Sequence, residues 1–276
     1  MRLLLVLMVG LLAACGGPSR PLPAPSGSPP PSASPASPSA ASPPPSPAPV
    51  PVPAGFVALS DVDPSILADI RYATPHNFVG RPVAGYLRPR CLLTREAAGA
   101  LHRVQQSALA RGYGIKVYDC YRPQPAVDDF VRWSGDADER MKGEFYPRVD
   151  KSALFDDGYI GGPTAHSRGS TLDLTLVAMP ARPQPPFDAR DAQVACTAPA
   201  AERFPDNTID MGTGFDCFDP LAHTAATAVT ASERANRDLL TGLMSAGGFT
   251  NYAKEWWHYT LSNEPFPSTY YAFPVA

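Results

Sequence analysis

The chain has 276 residues, with 23 basic and 26 acidic side chains and a net charge of −3 at pH 7. Leaving out Arg2 and Arg20, which precede the expected folded part, 21 basic residues stand against 26 acidic ones, a net charge of −5 without a basic run. This excludes nucleic acid as an expected partner, while a hydrophobic content of 44% is enough to build a core.

Residues 1–14 have the pattern of a secretory signal peptide. Arg2 is followed by an apolar run at 3–12 that is too short to span a bilayer, and then by small residues. The segment LAACG at 12–16 resembles the bacterial lipobox, which implies cleavage before Cys15 and lipidation of that cysteine. We therefore expect an exported protein held at the cell envelope by acyl chains. An ordinary signal peptide with a chance cysteine is the alternative.

Residues 15–54 are interpreted as a lipidated cysteine followed by a linker. Residues 18–54 contain 16 of the 34 prolines, and Ala and Ser make up most of the remainder. Such a tract cannot build a core and should be disordered with polyproline II character. We interpret it as a spacer, with a ligand for a proline-binding module as the alternative. Residues 55–276 have the length of one domain.

Two helices and one strand are predicted in the first half of this domain. Residues 94–111 have apolar side chains at helical spacing, and Thr94 can cap that helix. Residues 114–121 alternate as a strand, and 124–133 form a short amphipathic helix. Arg122 then lies at a strand exit, where functional side chains are common.

A second strand in the chain is predicted at 171–176, where leucines alternate with polar residues. Asp173 lies on the polar face, and packing of the opposite face would fix its direction. A helix is predicted at 232–246 and a strand at 256–261. Together these elements indicate an α+β single domain, with a central and mainly antiparallel sheet flanked by helices.

Two histidines, one aspartate and one glutamate occur at spacings typical of a metal hydrolase. His166 and Asp173 form a His-x6-Asp pair, and Glu255 and His258 form a second pair downstream. Two neutral imidazoles and one carboxylate suit a Zn²⁺ ion with an open position for water, and a second carboxylate can take that water's proton. Since a regular strand would turn Glu255 and His258 to opposite faces, we place Glu255 in a turn or bulge at the strand's entry.

Seven short motifs are distributed over the whole folded domain: DIRYAT (69–74), YDCYRPQ (118–124), FYPRVDK (145–151), SRGS (167–170), DMG (210–212), EWWH (255–258) and FPV (273–275). Their wording and order resemble those of the VanX-type D-alanyl-D-alanine dipeptidases of the M15 metallopeptidases. The resemblance implies the Hedgehog/DD-peptidase-like fold of that family.

The resemblance implies roles for five residues. His166, Asp173 and His258 would bind one Zn²⁺ per chain. Glu255 would be the general base and acid, and Arg122 would stabilise the reacting carbonyl. The implied reaction is hydrolysis of D-alanyl-D-alanine to two D-alanines. Because the lipobox and the spacer place the enzyme outside the cytoplasm, we expect it to act in cell-wall peptide turnover. A zinc D,D- or L,D-carboxypeptidase acting on peptidoglycan stem peptides is the alternative function.

A dipeptidase must also bind a free ammonium and a free carboxylate group. The family's pattern suggests Asp210 for the ammonium, with a turn-forming role before Gly212 as the competing interpretation. Ser167 and Ser170 are candidates for the substrate carboxylate, or structural residues of a glycine-containing loop. A structural pair with Asp119 is the other interpretation of Arg122. We infer no protein partner from the sequence.

Four cysteines besides Cys15 lie in the folded domain. An even number in an exported domain favours disulfides, of which three connectivities are possible. We favour the two pairs that each fall within one half of the chain, and free buried thiols are the alternative. The favoured pairs are Cys91 with Cys120 and Cys196 with Cys217.

Overall fold

A computed structural model describes residues 51–276 of the chain. The predictions for the signal peptide at 1–14, for Cys15 and for most of the linker at 15–54 lie outside the described residues. Between residues 51 and 276, no helix is both long enough and apolar enough to cross a bilayer.

Seven strands form two sheets within residues 51–276. A five-stranded sheet has the order β2-β4-β5-β7-β6, in which β2 and β4 are parallel and the other neighbours antiparallel, and β1 pairs with β3 in a small antiparallel sheet. This confirms the expected mainly antiparallel sheet. The strands are β1 (Phe56–Ala58), β2 (Leu67–Ala68), β3 (Leu92–Thr94), β4 (Tyr113–Asp119), β5 (Thr171–Ala178), β6 (Phe249–Asn251) and β7 (His258–Leu261).

In the described part of the chain, three helices have more than ten residues, and the sequence predicts all three. In the second helix the Thr94 hydroxyl accepts a hydrogen bond from the Ala97 amide, and in the fifth Thr230 and Glu233 form a capping box. The helices are α1 (Leu59–Val62), α2 (Arg95–Leu109), α3 (Gln124–Ser134), α4 (Lys142–Phe145) and α5 (Ala231–Ala246), and single 3₁₀ turns occur at Arg71–Ala73, Lys151–Ala153, Ala165–Arg168 and Pro220–Ala222.

Strand β5 is the central strand of the larger sheet and is buried from Thr171 to Val177. Its neighbours are β4 and β7, and in its register with β7 Asp173 is paired directly with His258. Because antiparallel partners project to the same face, this register places the two side chains together although they are far apart in sequence.

Two strand boundaries differ from the predictions. The strand predicted at 114–121 ends at Asp119, where its pairing with β5 shifts register between Val117 and Asp119. The strand predicted from residue 256 begins at His258 instead, because the preceding residues form a turn in which the Glu255 amide donates to the Tyr252 carbonyl. The expectation that Glu255 lies in a turn at the strand's entry is therefore confirmed.

Candidate metal centre and substrate cavity

His166, Asp173 and His258 bring three potential metal-ligating atoms within 4.8 Å of one another. Asp173 Oδ1 lies 3.4 Å from His166 Nε2 and 3.2 Å from His258 Nδ1. That oxygen is buried and has no hydrogen-bond partner, which is costly unless a cation satisfies it. The donor set therefore fits a divalent metal, and two imidazoles with one carboxylate are a usual zinc set that keeps a position open.

The orientation of His166 is fixed from two sides. It lies in the 3₁₀ turn Ala165–Arg168, where the Thr164 hydroxyl accepts a hydrogen bond from the His166 amide. Its Nδ1 lies 2.8 Å from the Cys120 carbonyl oxygen. Because a carbonyl can only accept, Nδ1 carries the proton and Nε2 presents its lone pair toward Asp173.

The charges within the cluster favour a bound cation. Burial opposes ionisation of Asp173, but the neighbouring His166 and His258 hold the pKa of this carboxyl well below its usual range. Burial likewise lowers the pKa of His258, yet the neighbouring carboxylates of Asp173 and Glu255 raise that pKa to about 9. The His258 imidazole therefore carries a positive charge when no metal is bound. A bound metal ion can replace that charge.

Glu255 lies beside the three candidate ligands. Its Oε2 is 3.3 Å from His258 Nδ1, and its side chain is 10% exposed. The turn before β7 directs the Glu255 carboxylate to the same face of the sheet as His258. This is the position that a proton-accepting group next to a metal-activated water requires.

Arg122 follows the end of β4, and its side chain extends toward the candidate metal ligand Asp173. Its guanidinium lies 2.9 Å from Asp119 Oδ2 and 3.5 Å from Asp173 Oδ2, and it stacks over the Tyr72 ring at 5.0 Å. Tyr86 donates to the other Asp119 oxygen at 2.5 Å. Although burial disfavours the charge, Tyr72 and Asp119 raise the pKa of Arg122 above its ordinary value. Arg122 is thus a fixed cation, and pairing with Asp119 is compatible with a role in the cavity.

Four of these residues line one cavity of about 290 Å³. Arg122, Asp173, Glu255 and His258 form its polar wall, and aromatic side chains such as Phe130 form much of the rest. The volume is at the lower end of the range for small-molecule sites, about 300–1,000 Å³. A small polar ligand is therefore the kind that fits.

The family model described as "D-ala-D-ala dipeptidase" (Peptidase_M15) matches residues 53–181 and 199–276. The chain belongs to this peptidase family. Its relatives named "D-alanyl-D-alanine dipeptidase" include proteins of Streptomyces coelicolor, Enterococcus faecalis and Enterococcus faecium. They are 40%, 36% and 34% identical over 222, 223 and 222 residues, each match covering 80% of this chain and 98% of the relative. Residues 182–198, which include Cys196, lie outside the family match.

Asp210 does not reach the cavity of this M15 peptidase. Its Oδ1 accepts a hydrogen bond of 2.9 Å from the Gly212 amide and a salt bridge of 2.5 Å from Arg203. It lines a different cavity of about 70 Å³. The structure thus gives Asp210 the turn-forming role that the sequence left as the competing interpretation, rather than the role of binding a substrate ammonium.

Ser167 and Ser170 are fully buried and do not line the cavity. The Ser167 hydroxyl donates to the Arg122 carbonyl at 2.8 Å, and the Ser170 hydroxyl is hydrogen-bonded to Thr94 at 2.7 Å. The Ser167 hydroxyl therefore holds the backbone at Arg122 and the Ser170 hydroxyl holds the Thr94 side chain, in agreement with their structural interpretation. The structure does not bring either hydroxyl to the cavity.

Asp216 is the cavity carboxylate that the sequence interpretation missed. It is 4% exposed, lines the cavity, and accepts a hydrogen bond of 2.8 Å from the Tyr72 hydroxyl. Burial and the nearby charge of Asp173 raise its pKa well above the usual value. The neighbouring residues in the sequence could have identified Asp216, because an ionisable residue between Phe215, Cys217 and Phe218 is expected to be buried.

Proposed function

We propose that this protein hydrolyses D-alanyl-D-alanine to two D-alanines, with a zinc ion bound by His166, Asp173 and His258. The observation that carries the proposal is the buried Asp173 oxygen without a hydrogen-bond partner, which lies between two imidazole nitrogens in a small cavity. The chain's membership of a family described as D-Ala-D-Ala dipeptidase supports the substrate, as do the names of its relatives.

The protein side chains around the cavity have complementary tasks in this reaction. A zinc ion, when bound, acidifies water and polarises a peptide carbonyl. Glu255 accepts the proton of the attacking water on its carboxylate and delivers it to the departing amine. Arg122 donates from its guanidinium to the oxyanion that develops on the carbonyl, and its contact with Asp119 keeps the guanidinium oriented.

Asp216 is the group that we assign to the free ammonium of the dipeptide. Its carboxylate is buried in the cavity wall and accepts only the Tyr72 hydroxyl among the described side chains. Burial and the nearby charge of Asp173 raise its pKa. The ionised carboxylate therefore needs a cation beside it, and the substrate ammonium would supply that cation away from bulk water. A peptide with a blocked N-terminus would leave Asp216 unpaired and should be a poor substrate.

The decisive measurement is the zinc content of the purified protein together with release of D-alanine from D-alanyl-D-alanine. We expect about one zinc per chain, loss of activity when a chelator removes the metal, and recovery when zinc is returned. N-acetylated D-alanyl-D-alanine should be turned over poorly. A wild-type protein that holds zinc but releases no D-alanine would contradict the dipeptidase function, and turnover of the blocked peptide alone would favour the carboxypeptidase alternative.

We further propose that the protein is exported and lipid-anchored at Cys15. Residues 1–14 would be removed, residues 15–54 would hold the domain away from the membrane, and the enzyme would act on D-alanyl-D-alanine released in cell-wall turnover. Two disulfides in the domain support an oxidising compartment. Cell fractionation should recover the protein with membranes, and replacing Cys15 with alanine should release it. Wild-type protein without lipid in the cytoplasmic fraction would contradict this location.

A further inference from the structure

We propose that the two disulfides are positioning elements of the active site with separate tasks. Cys91–Cys120 holds the groups that serve the metal and the reacting carbonyl, whereas Cys196–Cys217 holds Asp216 for the substrate ammonium. The inference rests on the proposed function for the role of each group. It adds that removing one bridge impairs metal binding and removing the other impairs substrate binding.

The first bridge anchors the end of β4, where three residues contact groups of the metal site. Asp119 is the last residue of β4, and Cys120 and Arg122 follow it. The Cys120 carbonyl accepts the hydrogen bond from His166 Nδ1 at 2.8 Å, and Asp119 Oδ2 lies 2.9 Å from Arg122 Nε and 3.4 Å from His166 Nδ1. A displacement of this segment would therefore change the orientation of both His166, a candidate metal ligand, and Arg122, the proposed oxyanion donor.

Regular sheet pairing does little to hold this segment. The register of β4 with β5 shifts between Val117 and Asp119, and residues 120–123 belong to neither a helix nor a strand. Cys91 directly precedes β3, and the Tyr121 amide donates to the Leu92 carbonyl at 3.0 Å. The disulfide is thus the covalent part of the connection between the exit of β4 and the smaller sheet.

The second bridge holds a residue with an unusual backbone conformation. Asp216 has φ of +54°, and between residues 51 and 276 it is the only residue other than glycine with a positive φ. Such a conformation persists only where the surroundings enforce it. On one side Phe215 stacks on Tyr118 at 4.3 Å, and on the other Cys217 is bonded to Cys196, whose amide donates to the Glu144 carbonyl at 2.8 Å.

The two bridges provide matched controls for each other. Their cysteines are separated by 29 and 21 residues, so losing either should reduce stability by similar amounts. All four cysteines are buried. A general loss of stability would therefore affect both variants alike, and a difference between them reports which part of the site each bridge holds.

The experiment compares Cys91→Ala/Cys120→Ala with Cys196→Ala/Cys217→Ala in the otherwise complete protein. Zinc affinity is measured by competition with a chromogenic chelator, and kcat and KM for D-alanyl-D-alanine are measured at saturating zinc, well below each variant's Tm. We expect the first variant to lose about 10- to 100-fold in zinc affinity, the usual effect of disturbing a ligand's hydrogen-bond partner, and to have a lower kcat. The second should keep its zinc affinity within about twofold while its KM rises about tenfold or more.

Equal losses of zinc affinity in both variants, or lower Tm values with unchanged zinc affinity and KM, would overturn the inference. If an alanine pair does not fold, valine at one of its two positions fills more of the volume left by sulfur and gives a second variant for the same measurements. Failure of the proposed function is recognised separately, because it appears in the wild type as absence of zinc or of D-alanine release.

Discussion

Glu255→Gln should retain zinc and lose roughly 10²- to 10⁴-fold in kcat for D-alanyl-D-alanine, the usual contribution of a general acid–base group. The amide keeps the size of the side chain but cannot accept the water's proton. Glu255 lies 3.3 Å from His258 but is not one of the three residues that fit as metal ligands. Zinc content measured beside kcat therefore separates loss of chemistry from loss of the metal.

A suitable control is Glu139→Gln, because Glu139 is a half-exposed carboxylate paired with Lys142 on the surface. That variant should keep the wild-type kcat and zinc content. If Glu255→Gln retained more than about a tenth of the wild-type kcat, Glu255 would not be the proton acceptor.

Asp216→Asn should lower kcat/KM by on the order of 100-fold, because removing one partner of a buried charge pair costs about 2–5 kcal/mol. The amide can still accept the Tyr72 hydrogen bond, so the local structure should persist. The loss should be much smaller for substrates that lack the free ammonium. An unchanged KM together with an unchanged kcat would remove Asp216 from substrate binding.

The same substitution should make the metal-free and substrate-free protein more stable at neutral pH. Burial and the Asp173 charge raise the pKa of Asp216 above its usual value of 3.8. The stability associated with the protonated carboxyl is therefore complete below about pH 4 and is lost as the pH rises through the folded-state pKa. Thermal unfolding should show a Tm advantage of Asp216→Asn that is larger at pH 8 than at pH 4, and a constant difference would contradict the buried charge.

The sequence predicted those parts of the fold that have a clear period. Helices α2 and α5 have apolar stripes with capping residues at Thr94 and Thr230, and β5 alternates over its whole length. By contrast, β1 and β6 have three residues each, which is too short for any period to be visible. The predicted metal ligands meet because Asp173 and His258 are paired in β5 and β7 and His166 lies in the turn that precedes β5.

The substrate-binding assignments were less predictable, because they depend on loops. Asp210 and Asp216 lie six residues apart in one irregular segment, and no periodicity tells which carboxylate points into the cavity. The outcome depends on the positive φ of Asp216 and on the pairing of Asp210 with Arg203. Ser167 was misplaced for a similar reason, since the 3₁₀ turn directs its hydroxyl to the Arg122 carbonyl.

The direct pairing of Asp173 with His258 across β5 and β7 also links metal binding to folding. A slip of one residue in this register would turn one of the two side chains to the opposite face of the sheet and separate the donors. An unfolded chain has no such site, because the segments that carry the donors are far apart in sequence. Whatever free energy the metal contributes is then available only to chains whose central strands have paired in the native register, so metal supply would favour correctly folded molecules over misregistered ones.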